Sequence, residues 1–302
     1  MKVLRKKGFT LVELMIVIAI IGMLAAALTT LVPRIREMGR SARCKANLRN
    51  LAMAAQSWSL KEREGSRMYP AAGSWESLDS ERSGNKAITI YKSGVDGGSD
   101  AWVSWTYGTS GVWPWRDISN KTSWQGNMQA ARFDGERGYI SVTNGCLWEY
   151  VGKDLSVYIC EAHKSVAVEN QVQKLVRSYV MNAYFGWDGD DGRGRKAIDT
   201  VSISGTASLR LMFAEMPGLD RKEDKKGIDT SDRAIDGVLQ YNDEVIGFNH
   251  RAARKLVGHV AFADGHVETL IRPSTSSDDL RKLTKALCEA TEIERDISLK
   301  MR

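Results

Sequence analysis

The sequence lacks the short fingerprints that would announce a common enzyme. It has no G-x-S-x-G, no P-loop, no H-E-x-x-H and no dinucleotide-type glycine pattern. Its four histidines and four cysteines include no H-x-x-x-H or C-x-x-C spacing. Metal ligation is therefore not written in the local sequence. A basic nucleic-acid surface is missing as well. The net charge is +6, but the excess sits at the front, in Lys2, Arg5, Lys6, Lys7, Arg34, Arg36, Arg40, Arg43, Lys45 and Arg49. Without residues 1–49 the chain is close to neutral, and no basic patch with interleaved aromatics follows. An ordinary secretory signal is a poor fit, because the first apolar run is too long for one and no A-x-A site with a clean break follows it.

What is present begins with that run. From Phe9 to Val32 the chain is apolar except for one charge, Glu13. As a helix it would be roughly 36 Å long, enough to cross a hydrocarbon core of about 30 Å. After Pro33 the helical spacing continues through Ile35, Met38, Ala42, Leu48, Leu51, Ala52, Ala55 and Trp58, with Arg and Lys between. The pattern predicts one helix over 9–62, apolar all round in its first half and amphipathic in its second. Pro33 and Gly39 should kink or loosen it. The leader lysines argue for a cytoplasmic N-terminus, and the larger basic cluster after Pro33 argues the other way. With 43% hydrophobic and 26% charged residues, the rest can bury a globular core.

The stretch Lys7-Gly8-Phe9-Thr10-Leu11-Val12-Glu13-Leu14 resembles the class III signal of type IV pilins and type II secretion pseudopilins. The resemblance implies cleavage between Gly8 and Phe9 by a prepilin peptidase, N-methylation of the new Phe9 amine, and an assembly role for Glu13. A carboxylate left unpaired on a membrane helix costs a few kcal/mol. An α-amine at Phe9, on the same or a neighbouring chain, would neutralise it and set register. The alternative is a carboxylate reaching up to the headgroups. A looser resemblance covers more of the chain. Asn249-His250 and Ala261-Phe262-Ala263-Asp264-Gly265-His266 are similar to the C-terminal H-x9-D-G motif of large pilin-like proteins. Cys44-Lys45-Ala46-Asn47-Leu48, Leu155 to Cys160 and Arg177 to Asn182 agree with it. Thirteen residues rather than nine separate His250 from Asp264, so a fixed geometry between them does not carry over.

Beyond the helix, Trp75, Trp102, Trp105, Trp113, Trp115 and Trp124 crowd a Gly/Ser-rich region. They read as a sugar- or partner-binding face or as a core of short strands. Strands are predicted at 156–159, 178–185, 209–214, 237–241, 245–248, 256–263 and 266–271. Asp264-Gly265 between the last two predicts a two-residue type I′ hairpin. Residues 218–233 read as an exposed loop. A last helix over 278–296 would put Leu280, Leu283, Leu287 and Ala290 on one face, packed on the sheet or docked on a neighbouring subunit.

Three groups of side chains could carry chemistry. Asp188, Asp190 and Asp191 with their glycines would suit calcium, or form an exposed acidic turn. His250, His259 and His266, with Asp264 and Glu268, could converge at the edge of the last hairpin to hold a transition metal. Cys44, Cys146, Cys160 and Cys288 permit three disulfide pairings. Cys44 with Cys160 would pin the long helix to the sheet, and free buried thiols are the other reading. The expectation is an α+β, pilin-like chain. A leader (1–8) precedes the long helix (9–62, transmembrane over 9–32), and an extracytoplasmic head (63–302) carries an antiparallel sheet and a C-terminal helix. It would be a non-enzymatic subunit of a pilus or pseudopilus. Its partners are a prepilin peptidase, other pilin subunits and the bacterial inner membrane, with no nucleic acid and no cofactor except for the calcium option. The competing readings are a membrane-anchored ligand- or carbohydrate-binding module and a metal-dependent enzyme on the histidine hairpin.

Overall fold

The computed structural model describes residues 9–61, 69–70, 72, 101–103, 135–169, 174–182, 185, 206–217, 237–239, 245–253, 255–273 and 277–289. Helix α1 (Leu11–Lys61) runs unbroken through Pro33 and Gly39. At about 1.5 Å per residue it is roughly 76 Å long. Its halves differ as the residue pattern predicts. The large apolar side chains described from Phe9 to Ile35, such as Leu14, Ile18, Ile21, Leu24 and Leu28, are exposed. From Cys44 onward one face closes: Cys44, Leu48, Leu51, Ala52, Ala55 and Trp58 are buried. These positions recur every three or four residues, the repeat of one helix face.

That face packs on a six-stranded sheet of β1 (Tyr179–Asn182), β2 (Leu211–Glu215), β3 (Val238–Leu239), β4 (His250–Ala252), β5 (Lys255–Phe262) and β6 (Val267–Ile271). Strand β5 is the hub. One edge pairs antiparallel with β6, and the other with β4 at its start and β2 at its end. Strand β1 continues the sheet antiparallel to β2, and β3 joins β1 in parallel. Among the described residues, three further α-helices are α2 (Gly135–Thr143), α3 (Glu161–Glu169) and α4 (Ser277–Glu289). The last docks on this chain's own sheet through buried Leu280, Leu283 and Cys288, and Asn182 Nδ2 donates to the Cys288 carbonyl at 3.2 Å. The architecture is therefore the α+β, pilin-like one expected: a long apolar N-terminal helix, a largely antiparallel head and a C-terminal helix.

Several local expectations are corrected. Residues Leu155–Tyr158 form a 3-10 turn, not a strand. Asp154 caps it by accepting from the Ser156 amide at 2.8 Å, and Asn47 of α1 donates to the carbonyls of Ser156 and Ile159 at 2.9 and 3.0 Å. Those side chains satisfy backbone groups that a ladder would otherwise need. Residues 245–249 are buried yet join no ladder. Single bonds hold them instead, from the Gly247 amide to the Glu215 carbonyl (2.7 Å) and from the Ile246 amide to Thr284 Oγ1 (3.2 Å). The β5–β6 connection is not a type I′ turn. Only Gly265 has positive φ (+87°), the Gly265 amide bonds to the Phe262 carbonyl, and the Phe262 amide bonds to that of His266. This is a three-residue loop with glycine at the left-handed position. Helices α2 and α3 and strand β4 carry no strong periodic signal and went unpredicted.

Gly258 lets two backbones close in. A Cβ on Gly258 would lie 2.0 Å from the Gly247 carbonyl oxygen, whereas one on Gly39 would meet nothing within 4 Å. Gly258→Ala should therefore force segment 245–249 off β5 and cost about 1–3 kcal/mol. Gly39→Ala should leave stability unchanged or raise it by up to about 1 kcal/mol. Denaturation midpoints of the detergent-solubilised chains check both.

Candidate functional site

Two places gather chemistry-bearing groups. The first is the start of α1. Thr10 stands just before the helix, and Glu13 lies in its first turn. The Glu13 amide donates to Thr10 Oγ1 at 3.2 Å, while Glu13 Oε2 accepts from the Thr10 amide at 2.8 Å and its hydroxyl at 2.7 Å. This reciprocal pair is a capping box, which satisfies two of the amides a helix start leaves unpaired. The T-x-x-E spacing ahead of an apolar run was the signal for it, and the sequence reading passed over it. In this chain Glu13 is thus paired with its own helix start and is not an isolated charge.

The second place is buried, where α1 meets the sheet. Four elements each deliver one side chain: Cys44 from α1, Cys160 after the 3-10 turn, Glu215 from the end of β2 and His250 from the start of β4. Their ligand-type atoms all lie within 4.8 Å of one another, and all four residues are buried. Cys44 Sγ donates to Glu215 Oε1 at 3.1 Å, Cys160 Sγ lies 3.3 Å from His250 Nε2, and that nitrogen is 3.5 Å from Glu215 Oε1. The surroundings are equally specific. His250 Nδ1 is 3.2 Å from Glu37 Oε1, which also accepts from the Arg251 amide at 3.0 Å. Asn249 Nδ2 donates to Glu215 Oε2 at 3.0 Å, and the Tyr179 hydroxyl donates to Cys44 Sγ at 3.4 Å.

His259 lies beside His250, with ring centroids 4.7 Å apart and planes tilted by 42°, but its ring is already engaged. Nε2 meets Ser41 Oγ at 2.8 Å and Nδ1 meets Thr269 Oγ1 at 3.1 Å, while its backbone amide donates to Glu215 Oε1 at 2.9 Å. Burial, with the charges of His250 and Lys45, holds its pKa down at about 3. Glu215 is pushed up to about 8 by burial and by Cys160. Burial works against a charged His250, yet Cys160, Glu215 and Glu37 together raise it to about 9. The Cys44 thiol hydrogen-bonds Cys160 and lowers it, while burial raises Cys44. Cys160, His250 and Glu37 thus stand in the order of nucleophile, base and acid. Yet Cys160 is 1% exposed and His250 0%, so no substrate atom reaches the sulfur.

The structure sorts the sequence-predicted candidates clearly. His250 enters the buried cluster, but His266 does not. His266 sits on the outer loop, stacked on Phe262 at 4.4 Å and held by Asp264 (Nδ1 to Oδ1, 2.5 Å) and Glu268 (3.7 Å). The expected histidine–Asp264–Glu268 grouping is therefore split. Asp264 and Gly265 shape the β5–β6 loop. Cys44 and Cys160 are brought together as free thiols. Asp188, Asp190 and Asp191 lie outside the described residues, as do Trp75, Trp105, Trp113, Trp115 and Trp124. Trp102 is a core residue: it is fully buried, packed on Tyr158 and Phe213, and donates to the Gly237 carbonyl at 3.1 Å.

Comparison with known families bears on the first place. Residues 4–29 match the prokaryotic N-terminal methylation motif. No curated protein and no solved structure matches the chain. The chain therefore carries a type IV pilin-type signal, and α1 is a helix long and apolar enough to cross a membrane. The match spans both flanks of the Gly8–Phe9 bond and includes Thr10 and Glu13. It stops well short of the buried cluster.

Sequence reasoning named three of the four clustered residues, and the fourth, Glu215, was missed. Its signal was faint: an acid closing the apolar strand LMFAE. It is now the acceptor shared by Cys44, Asn249 and the His259 amide. Glu215→Ala would strand those buried donors and should lower unfolding free energy by about 3 kcal/mol. Urea titration of the solubilised chain measures the loss.

Proposed function

We propose that this chain is a pilin-like structural subunit. It is cut between Gly8 and Phe9 by a prepilin peptidase, methylated on the Phe9 amine, and assembled with like subunits into a type IV pilus or a type II secretion pseudopilus. The observation that carries the reading is the methylation motif at residues 4–29 running directly into a helix whose apolar half the head leaves uncovered. A simple anchor needs the apolar helix but not the motif. The same pair supports a single-pass protein of the bacterial inner membrane, with the N-terminus cytoplasmic and the head outside.

Glu13 then has two successive partners. Before cleavage it caps its own helix through Thr10. Cleavage turns the Phe9 amide into an amine, and in an assembled bundle the Phe9 amine of a neighbour offers the Glu13 carboxylate a full opposite charge. A charge-assisted bond in a poorly solvated bundle is roughly twice as strong as a neutral one. Register between subunits follows from that exchange.

Intact and N-terminal peptide mass spectrometry of the protein from cells that carry a prepilin peptidase tests the reading. The expected chain starts at Phe9 with one added methyl, and Gly8→Ala or loss of the peptidase leaves it uncut. Glu13→Gln should still be processed but should fall out of sheared filaments or pseudopili. A wild-type chain that keeps Met1 under these conditions would sink the proposal.

A further inference from the structure

We propose that Cys44, Cys160, Glu215 and His250 form a closed structural site for a tetrahedral transition-metal ion, zinc by its chemistry, that bolts the long helix to the head.

The donor set comes first. Two thiolates, an imidazole and a carboxylate suit borderline-soft Zn²⁺, while Ca²⁺ and Mg²⁺ prefer all-oxygen shells. The spacing agrees. With Zn–S near 2.3 Å and Zn–N or Zn–O near 2.0–2.2 Å, the ligand atoms of a tetrahedron lie about 3.3–3.8 Å apart. The separations here are 3.1, 3.3 and 3.5 Å, and every ligand atom is within 4.8 Å of the others. These three separations need only a few tenths of an ångström of adjustment to reach tetrahedral spacing.

The outer contacts are also those a metal site uses. A ligating histidine nearly always donates its other ring nitrogen to a carboxylate or carbonyl, which fixes its tautomer. With His250 Nε2 facing the cluster, Nδ1 faces Glu37, and the Arg251 amide holds Glu37 in place. Asn249 holds the second oxygen of Glu215, so one oxygen remains for an ion. The Tyr179 hydroxyl supports the Cys44 sulfur. His259 has both ring nitrogens taken, so it excludes itself as a ligand.

The energetic case is independent of the geometry. Collecting two thiols, a carboxylate and an imidazole in a fully buried place costs several kcal/mol in desolvation unless something offsets it. A divalent cation at the common focus does so. A disulfide between Cys44 and Cys160 would leave Glu215 and His250 facing only each other. No open coordination position faces solvent, because all four ligands are buried. The site is therefore structural rather than catalytic, and its binding energy is folding energy.

The test uses the full chain in detergent. Metal analysis should find one zinc per chain, and alkylation under denaturing conditions should find Cys44 and Cys160 both unbridged. Apo protein titrated with Co²⁺ should show thiolate-to-cobalt charge transfer and the strong visible bands of a tetrahedral site. Cys160→Ser and His250→Gln should lose the ion, and His266→Gln should keep it. Should those variants not fold, the cobalt spectrum of the wild type decides alone. A Cys44–Cys160 disulfide in the peptide map would overturn the proposal. So would a wild-type chain with neither zinc nor a cobalt–thiolate signal, or zinc retained by a folded His250→Gln. None of these results touches processing at Gly8–Phe9, which is read separately from the N-terminal mass.

Discussion

One continuous helix has to satisfy two surroundings at once, and the rest of the structure is arranged around that demand. Up to Ile35 the helix shows apolar side chains on every side. From Cys44 it shows them on one face only, and that face is the floor on which β5 and β2 lie. No loop separates the two regimes. Leu48 and Leu51, each contributing roughly 1.5–3 kcal/mol by burial, hold the head onto the same rod whose first half is long and apolar enough to cross a bilayer. The head is therefore not tethered to its anchor; part of its core is the anchor's extension.

Three fragments singled out in the sequence, 44–48, 155–160 and 177–182, turn out to be neighbours in space. Asn47 of the first fragment reaches the carbonyls of Ser156 and Ile159 in the second. The second is stitched to the third by the Ser178 amide on the Tyr158 carbonyl. Tyr179 of the third returns to Cys44 of the first. The three fragments thus form one contiguous piece of the interior, the junction of helix and sheet, and not a surface. His250 belongs to that junction, whereas Asp264 and Gly265 belong to a turn whose geometry is local.

The sequence made the long helix, most of the sheet strands and the last helix legible, because each carries a repeat of 3.6 or 2. What it hid was decided by single side chains. Residues 156–159 look like a strand until Asp154 and Asn47 are seen to take their backbone groups. Strand β4 is three residues, too short for any repeat, and β-pairing with Lys255, Leu256 and Val257 defines it. Cys44, Cys160 and His250 were visible as residue types, but their meeting point was not. The four clustered groups are 44, 160, 215 and 250 in number and come from four different elements. No spacing rule spans such distances, and Glu215 could be picked out only by the company it keeps after folding.

The boundary between rod and head also fixes where the molecule can be cut. It is natural to trim such a chain just after its greasy segment to obtain something soluble. Yet Glu37 already holds His250 and the Arg251 amide, and Ser41 already holds His259. The last exposed apolar side chain before Glu37 is Ile35. A fragment that begins even one turn later than this gap would discard part of its own interior, while one that begins earlier keeps an oily stub. The usable scissor point lies between Ile35 and Glu37, set by hydrogen bonds to β4 and β5 and not by hydrophobicity.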